Sequence, residues 1–308
     1  MRRLIINADD LGLTAGVNRG ISECFRQGVV SSTTLMANGS GFAGAVETVR
    51  ELCAAENSRD GNASPAVRQP SVGLSVGCHV VLVDGTPVLP PEQVASLAHN
   101  GSGEFRISFA DFALQTVANR VNPLQVAAEA EAQVRRIQAT GLRVSHLDTH
   151  KHVHLFPRVL KPLLLAAAKC AVRAVRNPFA PIKPLAFAHL LRRPHLWKRY
   201  SEVKLLRAWA EGFRREVEAH GMVTTDGTFG IVSTGALDLQ LFRAIIGCVP
   251  EGTWELCCHP GYNDADLAQV RTRLRKSRDQ EREVLTSNAA RKVLEEHNIQ
   301  LISYWDLQ

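Results

Sequence analysis

The side chains best suited to chemistry in this sequence come directly after segments that are typical of buried strands. They are Asp9 and Asp10 after Arg3 to Ala8, His79 within Val72 to Leu82, His150 after Leu142 to Asp148, and His259 after Thr253 to Cys258. In parallel α/β folds the carboxyl ends of the strands form the active face. We therefore expect these residues, distant in sequence, to converge on one site.

Asp9 and Asp10 are adjacent carboxylates at a predicted strand end. Burying both charges costs free energy unless a cation or hydrogen-bond donors neutralise them, and a metal ion would do so. The alternative is that they cap the helix that begins near Thr14, a common use of aspartate. If extended geometry persists, Asp9 and Asp10 point to opposite faces of the strand.

Polar residues recur at every second position between His146 and His154. They are His146, Asp148, His150, His152 and His154. In extended backbone this period places them on one side, and four histidines there indicate metal coordination or proton transfer. Asp148 is positioned to orient an imidazole from behind. The spacing does not decide which histidine binds, and His79 alone is more typical of a structural histidine.

His259 precedes a Pro-Gly turn in the run Cys257 to Gly261, where its ring could reach a bound substrate. We predict that it is a general acid, because neither neighbouring cysteine has a base nearby in sequence that would activate it as a nucleophile. Arg176 follows the predicted strand Val172 to Val175 and is a candidate to hold Asp9 ionised, although many such residues are only surface charges.

The elements that must position these residues alternate between strand and helix patterns along the chain. Further strands are predicted at Val29 to Met36, Met222 to Phe229 and Gln300 to Tyr304, and helices at Ala15 to Arg26, Gly41 to Ala54, Pro123 to Ala139, Leu160 to Cys170 and Leu237 to Val249. Such alternation implies a parallel sheet covered by helices. About seven or eight units favour an α/β barrel, distorted or regular, over an open sheet.

We expect a single domain over residues 1–308 with a helical insertion at about 183–220. The helical pattern from Leu185 to Ala219 is too long for one barrel helix, and Pro194 predicts a break in it. Basic and aromatic residues alternate there. The segment is either an amphipathic insertion packed on the barrel or an interfacial segment that admits a lipid-linked sugar. Ala55 to Gln69 is predicted to be a loop.

The composition limits the classes of protein that fit. The 308 residues are 45% hydrophobic and 21% charged, which is typical of a soluble globular protein. A signal peptide and a membrane span are both lacking in the sequence, so we expect a cytoplasmic protein. Seven cysteines without a CxxC pair argue for reduced thiols. The net charge of +6 accompanies no nucleic-acid-binding module.

Four stretches of the sequence resemble the signature of the YdjC-like carbohydrate deacetylases. They are Asn7 to Gly12, Gly77 to Val80, His146 to His154 and Cys258 to Gly261. The resemblance covers nearly the whole chain and is greatest to the hopanoid-associated HpnK branch. The sequence departs from the common pattern at Leu11, where phenylalanine is usual, and at Lys151, where glutamine or histidine is usual.

The resemblance implies a distorted, TIM-like (β/α) barrel with one divalent metal ion. Asp10, His79 and His150 then match the metal ligands, and Asp9 matches the catalytic base. Two imidazoles suit zinc better than magnesium, whereas the family is often described with magnesium, so both stay open. The chemistry would be N-deacetylation, with His259 protonating the leaving nitrogen and His152 and His154 as alternative acids.

The implied substrate is an N-acetylglucosamine-type sugar, on a glycosylated hopanoid lipid if the branch is right. The resemblance also implies a homodimer, and the lipid implies peripheral contact with the inner membrane face. Two rivals are a metal-dependent phosphoesterase and a non-catalytic carbohydrate- or lipid-binding barrel. The first usually needs more carboxylates around two metals, and the second has no need for Asp9 beside Asp10.

Overall fold

Eight parallel strands form one sheet in the computed structural model, which describes residues 1–59, 73–99, 102–183, 185 and 193–307. The strands are β1 (Arg2–Leu11), β2 (Ser32–Leu35), β3 (Ser75–Val80), β4 (His146–Thr149), β5 (Ala174–Val175), β6 (Gly227–Phe229), β7 (Gly252–Cys258) and β8 (Ile299–Leu301). Most of the predicted loop at Ala55 to Gln69 lies outside the described residues, as do residues 184 and 186–192 of the predicted insertion.

The sheet runs in the order β5-β4-β3-β2-β1-β7-β6, and β8 pairs with the first residues of β1. It curls until backbone hydrogen bonds link each of its two outer strands, β5 and β6, to a residue beside the other. Val175 N–H donates to Val223 O at 3.0 Å, and Thr228 N–H donates to Phe179 O at 3.0 Å. The predicted α/β class and the distorted, TIM-like barrel are confirmed.

Helices follow most strands and cover the sheet. They are α1 (Ala15–Gln27), α2 (Phe42–Arg59), α3 (Phe109–Val117), α4 (Pro123–Gln138), α5 (Pro157–Lys169), α6 (Trp197–Leu206), α7 (Ala210–Ala219), α8 (Leu239–Gly247), α9 (Ala265–Gln269), α10 (Lys276–Thr286) and α11 (Asn288–Glu296). Side-chain caps fix where several begin: Thr14 accepts from Val17 N–H, and Asn122 accepts from Leu124 N–H. Within the described ranges, every helix is too short or too polar to span a lipid bilayer.

The long helix predicted from Leu185 to Ala219 is instead several short elements in its described part. A 3-10 turn at Pro194–Leu196 leads into α6, and a second at Arg207–Trp209 separates α6 from α7. Proline begins the first turn because its fixed φ fits a helix start while its missing N–H interrupts a helix interior. Phe213 and Val217 on α7 are buried.

Several predicted strands are longer than the observed ones. The apolar run from Val29 to Met36 contains only the four residues of β2, although Val29 and Val30 are buried. In the same way Tyr304 lies in a 3-10 turn after β8 rather than in the strand. Hydrophobic patterning reports burial, and these residues are buried in connections rather than paired in the sheet.

Apolar packing closes one end of the barrel. Ile5, Ala174, Ile302 and Tyr304 form a small cluster there, separate from the main core between sheet and helices. The opposite end, at the carboxyl ends of the strands, remains open and carries the polar residues described next.

Candidate active site and metal centre

A cavity of about 840 Å³ lies at the carboxyl ends of the strands. The predicted site residues that line it are Asp9, Asp10, His79, His150, His152 and His259. Asp148, His154 and Arg176 lie behind it, fully buried. The structure thus brings together residues that span 250 positions of the sequence, as the strand-end argument predicts.

Both aspartates of β1 face the cavity because the strand geometry breaks at Asp10. Its φ of +70° lies in the left-handed region, and the register with β2 shifts between Ala8 and Leu11. Regular alternation would have turned Asp9 and Asp10 to opposite faces. The irregularity is what lets two consecutive carboxylates serve one site.

Three side-chain atoms form a compact set of metal ligands. Oδ1 of Asp10 lies 3.5 Å from Nε2 of His79 and 3.6 Å from Nδ1 of His150, and the two imidazole nitrogens are 3.3 Å apart. A tetrahedral zinc ion with bonds of about 2.0–2.1 Å separates its ligands by about 3.3 Å. The spacing therefore matches a cation held by one carboxylate and two imidazoles.

The hydrogen bonding of the Asp10 carboxylate supports the same conclusion. Its Oδ2 accepts from Arg278 at 2.6 Å, whereas its Oδ1 is buried without a hydrogen-bond partner in the described structure. A buried, unpartnered carboxylate oxygen costs free energy unless something else binds it. The donor set fits a divalent metal ion.

Asp148 fixes the orientation of the His79 ring. Nδ1 of His79 donates to Oδ1 of Asp148 at 2.8 Å, which leaves Nε2 facing the metal ligands. Burial would lower the pKa of His79, but the carboxylate of Asp148, together with those of Asp9 and Asp10, outweighs it and raises this pKa to about 9. A carboxylate behind a metal-binding imidazole sets the tautomer and increases its basicity. The contact that this predicted role of Asp148 requires is present.

Arg176 is the central cation behind the site. Its Nη1 and Nη2 donate to the two oxygens of Asp9 at 2.8 and 2.6 Å, it pairs with Asp148, and its Nη2 donates to Glu255 at 2.6 Å. Burial raises the pKa of Asp9, but Arg176 lowers it far below its usual range. Arg176 thus contacts Asp9 as predicted and keeps that carboxylate ionised.

A second cluster of metal-type ligands consists of Asp9, His79 and Asp148. Here the guanidinium of Arg176 already neutralises both carboxylates. A cation would have to displace a buried arginine to bind there. The described residues therefore support one metal position, at Asp10, His79 and His150.

His259 lies beside the other face of Asp9. Its Nε2 is 3.8 Å from Oδ2 of Asp9, and its backbone N–H donates to Glu281 at 2.6 Å. Burial lowers the pKa of His259 to about 4, against the opposing charges of Asp9 and Asp10. The imidazole is therefore neutral near pH 7 until it receives a proton.

The predicted one-sided histidine run ends at Thr149. Residues His150–Leu155 form a 3-10 segment in which Lys151 and His152 have positive φ, so the period-two expectation is wrong beyond the strand. His154 is removed from the cavity, with Nε2 at 3.1 Å from Arg176 O and Nδ1 at 2.6 Å from Thr149. The half-buried His152 does line the cavity, and its Nδ1 is without a partner in the described structure.

His146 takes no part in the site. Its ring stacks on Tyr304 with centroids 3.5 Å apart and lies against Gly77, where a side chain would collide with it. The cysteines are equally remote from nucleophilic chemistry, since burial raises the pKa of Cys257 and Cys258 well above the usual range.

Two site residues on α10 were missed from the sequence. Arg278 pairs with the metal-ligand candidate Asp10, and Glu281 accepts from the backbone of His259. Burial raises the pKa of Glu281 to about 7. Both occur in a strongly charged helix whose composition is typical of a solvated surface, and only their spacing of three residues hints that they share a buried face.

Comparisons with known proteins show which family the chain belongs to. The family model described as YdjC-like protein matches residues 3–296. A Brevibacillus brevis protein named carbohydrate deacetylase is 30% identical over 306 residues, 99% of both chains. A Salmonella heidelberg protein named chitooligosaccharide deacetylase is 30% identical over 310 residues, again 99% of both. A crystal structure from Enterococcus faecalis V583 superimposes with a TM-score of 0.75 at 26% identity, covering 99% of this chain and 98% of that one.

Proposed function

Because the chain belongs to the YdjC-like family, we propose that it is a carbohydrate deacetylase that hydrolyses the N-acetyl group of an N-acetylglucosamine-type amino sugar. Full-length similarity to relatives named carbohydrate and chitooligosaccharide deacetylase supports this activity. One observation carries the assignment: Asp9, kept ionised by Arg176, faces the same cavity as the ligand set of Asp10, His79 and His150.

Asp10, His79 and His150 would hold one divalent cation. When bound, such an ion would supply Lewis acidity to polarise the acetyl carbonyl and acidify the attacking water. Two imidazoles and one carboxylate favour zinc over magnesium, since magnesium prefers oxygen ligands. Arg278, held on Oδ2 of Asp10, directs the other carboxylate oxygen towards the ligand set.

Asp9 acts as the general base. Its two oxygens accept from Arg176, so the carboxylate is fixed in orientation and stays charged in a buried position. Asp9 removes a proton from water as the water oxygen bonds to the acetyl carbon. A buried carboxylate without Arg176 would be neutral and unable to accept this proton.

The proton must then reach the sugar nitrogen, because an amide anion is a poor leaving group. His259 lies 3.8 Å from Asp9 and is neutral at rest, so we assign it the transfer of this proton rather than the role of a preloaded acid. As the nitrogen is protonated the carbon–nitrogen bond breaks, releasing acetate and a free amine. His152 lines the cavity and is the alternative acid; the contacts of His154 remove it from this role.

We further propose that the sugar is lipid-linked, on a hopanoid as the resemblance to the HpnK branch implies. Val203 and Leu206 of α6 line the cavity together with Leu155, which gives it an apolar wall. On the same segment Leu205 is 80% exposed, beside basic Lys204. These features support peripheral membrane contact through a helical insertion in a single domain.

A matched pair of leucines tests the membrane contact. Leu205→Glu should reduce sedimentation with anionic liposomes, while Leu124→Glu on α4, equally exposed at 79%, should not. Equal binding of both variants would contradict the interfacial role of α6.

We also propose a homodimer, which rests on the family resemblance alone. A mass of one 33.7 kDa chain in light scattering would refute it.

Acetate release tests the enzymatic proposal. The metal-loaded protein should release acetate from N,N′-diacetylchitobiose or from an N-acetylglucosaminyl hopanoid, and Asp9→Asn should abolish release from both. Asp266→Asn, an exposed aspartate on α9, is the matched control. Release that survives in Asp9→Asn would remove Asp9 from the mechanism, and its absence in the wild-type protein would favour a binding protein or a phosphoesterase.

A further inference from the structure

Glu281 on α10 is a buried carboxylate that the proposed chemistry does not use. Its side chain is only 2% exposed, and within the described ranges it makes no ion pair. Arg278, one turn earlier on the same helix, is paired with Asp10 instead. Burial raises the pKa of Glu281 to about 7, so its charge at alkaline pH costs folding free energy. Stability therefore does not explain a carboxylate at this position.

The carboxylate of Glu281 binds the backbone of two loops that border the site. Its Oε2 accepts from the N–H of His259 at 2.6 Å, and the backbone of Gly235, in the loop after β6, also hydrogen-bonds to it. A carboxylate offers two acceptor oxygens, whereas an amide offers one, and hydrogen bonds to an ionised acceptor are the stronger ones. Glu281 thus ties the loops after β6 and β7 to α10.

The ring of His259 has no hydrogen bond of its own that would orient it. In the described part of the chain its Nδ1 is buried without a partner, and its Nε2 lies 3.8 Å from Oδ2 of Asp9, beyond hydrogen-bond distance. His79 differs, because its Nδ1 donates to Asp148 at 2.8 Å. The position of the His259 imidazole is therefore set by the contacts of its backbone.

The loop that carries His259 is held between α10 and α1. Nη1 of Arg278 donates to the carbonyl of His259 at 3.5 Å, and the N–H of Gly261 donates to the carbonyl of Arg278 at 3.2 Å. On the other side Gly261 packs against Gly20 of α1, where a Cβ atom would lie 2.6 Å from the Cα of Gly261. Of the two side-chain contacts to the His259 backbone, that of Glu281 is the shorter.

We propose that Glu281 is a positioning residue for the proton transfer that His259 performs. The proposal rests on the proposed function, which assigns that transfer to His259. By holding the N–H of His259, the carboxylate keeps the imidazole beside Asp9, within reach of the sugar nitrogen. Glu281 is not among the described residues that line the cavity, so it acts through His259. A displacement of about 1 Å in such a group costs about 100-fold in rate.

The charges around Glu281 make pH 8 the condition for a test. The titratable groups that act on it or face it are Arg278 on its own helix, Asp9 on β1, and the thiols of Cys24 on α1 and of Cys257 and Cys258 on β7. Burial raises the pKa of all three thiols, so they are neutral at pH 8. Glu281 is ionised there, and its backbone contacts are charge-assisted.

Glu281→Gln separates positioning from folding at pH 8. The variant should release acetate with a kcat about 10- to 100-fold lower, with KM and the zinc dissociation constant unchanged. Because it removes a buried charge, it should also have a higher unfolding free energy. A residue with a purely structural role would not lower kcat while raising stability. Glu283→Gln, whose carboxylate on the same helix is 69% exposed, should change none of these quantities.

A double-mutant cycle tests whether Glu281 acts through His259. In the His259→Asn background, Glu281→Gln should lower kcat no further, because residues that serve one step are not additive. Losses that multiply in the double variant would overturn the proposal. So would a wild-type kcat in Glu281→Gln, or a kcat loss that is accompanied by weaker zinc binding.

Nuclear magnetic resonance of histidine-labelled, zinc-loaded protein tests the same contact without turnover. The ring signals of His259, identified by their loss in His259→Asn, should shift in Glu281→Gln, while those of His79 and His150 should not. Unchanged His259 signals would overturn the proposal. A shift of these signals in a protein that releases no acetate would refute the deacetylase proposal and still show that Glu281 fixes His259.

Discussion

Replacing Arg176 by glutamine should both destabilise the protein and stop catalysis. The guanidinium is fully buried and is the cation shared by Asp9, Asp148 and Glu255. Breaking a buried ion pair by removing one partner costs about 3–5 kcal/mol, because the other charge stays buried without compensation. Arg176→Gln removes the cation that three carboxylates share, although Asp148 keeps His79 as a partner, so we expect a loss of at least about 3 kcal/mol in unfolding free energy near pH 7.

The loss should depend on pH in a defined direction. In the wild-type protein the pKa of Asp9 is lowered by folding, so its contribution to stability is present above the ordinary value of 3.8 and is lost as pH falls below it. In Arg176→Gln, burial is offset only by the smaller effects of His79 and His259, so the pKa of Asp9 rises. The variant then recovers stability as pH falls and the carboxyl group takes up a proton, so its deficit is largest at neutral and alkaline pH.

Urea unfolding followed by tryptophan fluorescence measures both effects, at about pH 8 and about pH 5. Arg176→Lys keeps the charge but not the paired donors, so it should recover part of the stability and little of the activity. Arg215→Gln serves as the exposed control. A deficit in Arg176→Gln that is small, or equal at both pH values, would refute the role of Arg176 as the charge partner of Asp9.

Three further substitutions test separate parts of the site. Asp148→Asn should weaken zinc binding by about 10- to 100-fold, since the orienting acceptor of His79 is impaired; an unchanged dissociation constant in a chelator competition would contradict this. Glu281→Gln should have the same unfolding free energy as the wild-type protein near pH 4.5 and a higher one near pH 8. The raised pKa of Glu281, about 7, means that the wild-type protein loses stability as pH rises through that value. Thermal unfolding of both proteins at the two pH values tests this prediction. The same difference in stability at both pH values would contradict a buried Glu281 that titrates between them. His259→Asn should lower kcat by about 10²- to 10⁴-fold with little change in KM. His220→Asn, outside the site, should leave both constants unchanged. A kcat of His259→Asn equal to that of the wild-type protein would transfer the acid role to His152.

The sequence was sufficient to predict that the candidate site residues converge at one end of the strands. Alternation of strand and helix patterns predicts a parallel sheet, and a parallel sheet places all strand ends on one face. Asp9, His79 and His259 were identified in this way before their distances were known. Strand lengths were less predictable, because β5 has only two residues and its pairing depends on neighbours that a local pattern does not contain.

At the site itself, the local backbone conformation is what the sequence did not predict. Nothing in the sequence around Asp10 requires its positive φ, which turns it to the same cavity as Asp9. The same holds for Lys151 and His152, whose left-handed conformations end the one-sided histidine pattern. Such conformations are fixed by tertiary contacts rather than by residue type, because non-glycine residues adopt them only under constraint.

Electrostatic partners that lie far apart in the sequence could not be predicted from it either. Arg278 lies 268 residues from the aspartate that it contacts, and its helix has the charged composition of a solvent-exposed element. Arg176 could be suggested because it follows a strand, whereas the three carboxylates that surround it could not be counted from the sequence. The contact between Arg278 and Asp10 follows from the pairing of β1 with β7, which brings the helix that follows β7 beside the first strand of the chain.

The most direct test of the account is acetate release from an N-acetylglucosamine substrate as zinc is added to metal-free protein. We expect no release without metal, a linear rise up to one zinc per chain, and a plateau beyond it, because the described residues support one metal position. Acetate release by the metal-free protein, or no release with Asp10, His79 and His150 fully loaded, would contradict the central claim that this site performs a metal-assisted deacetylation.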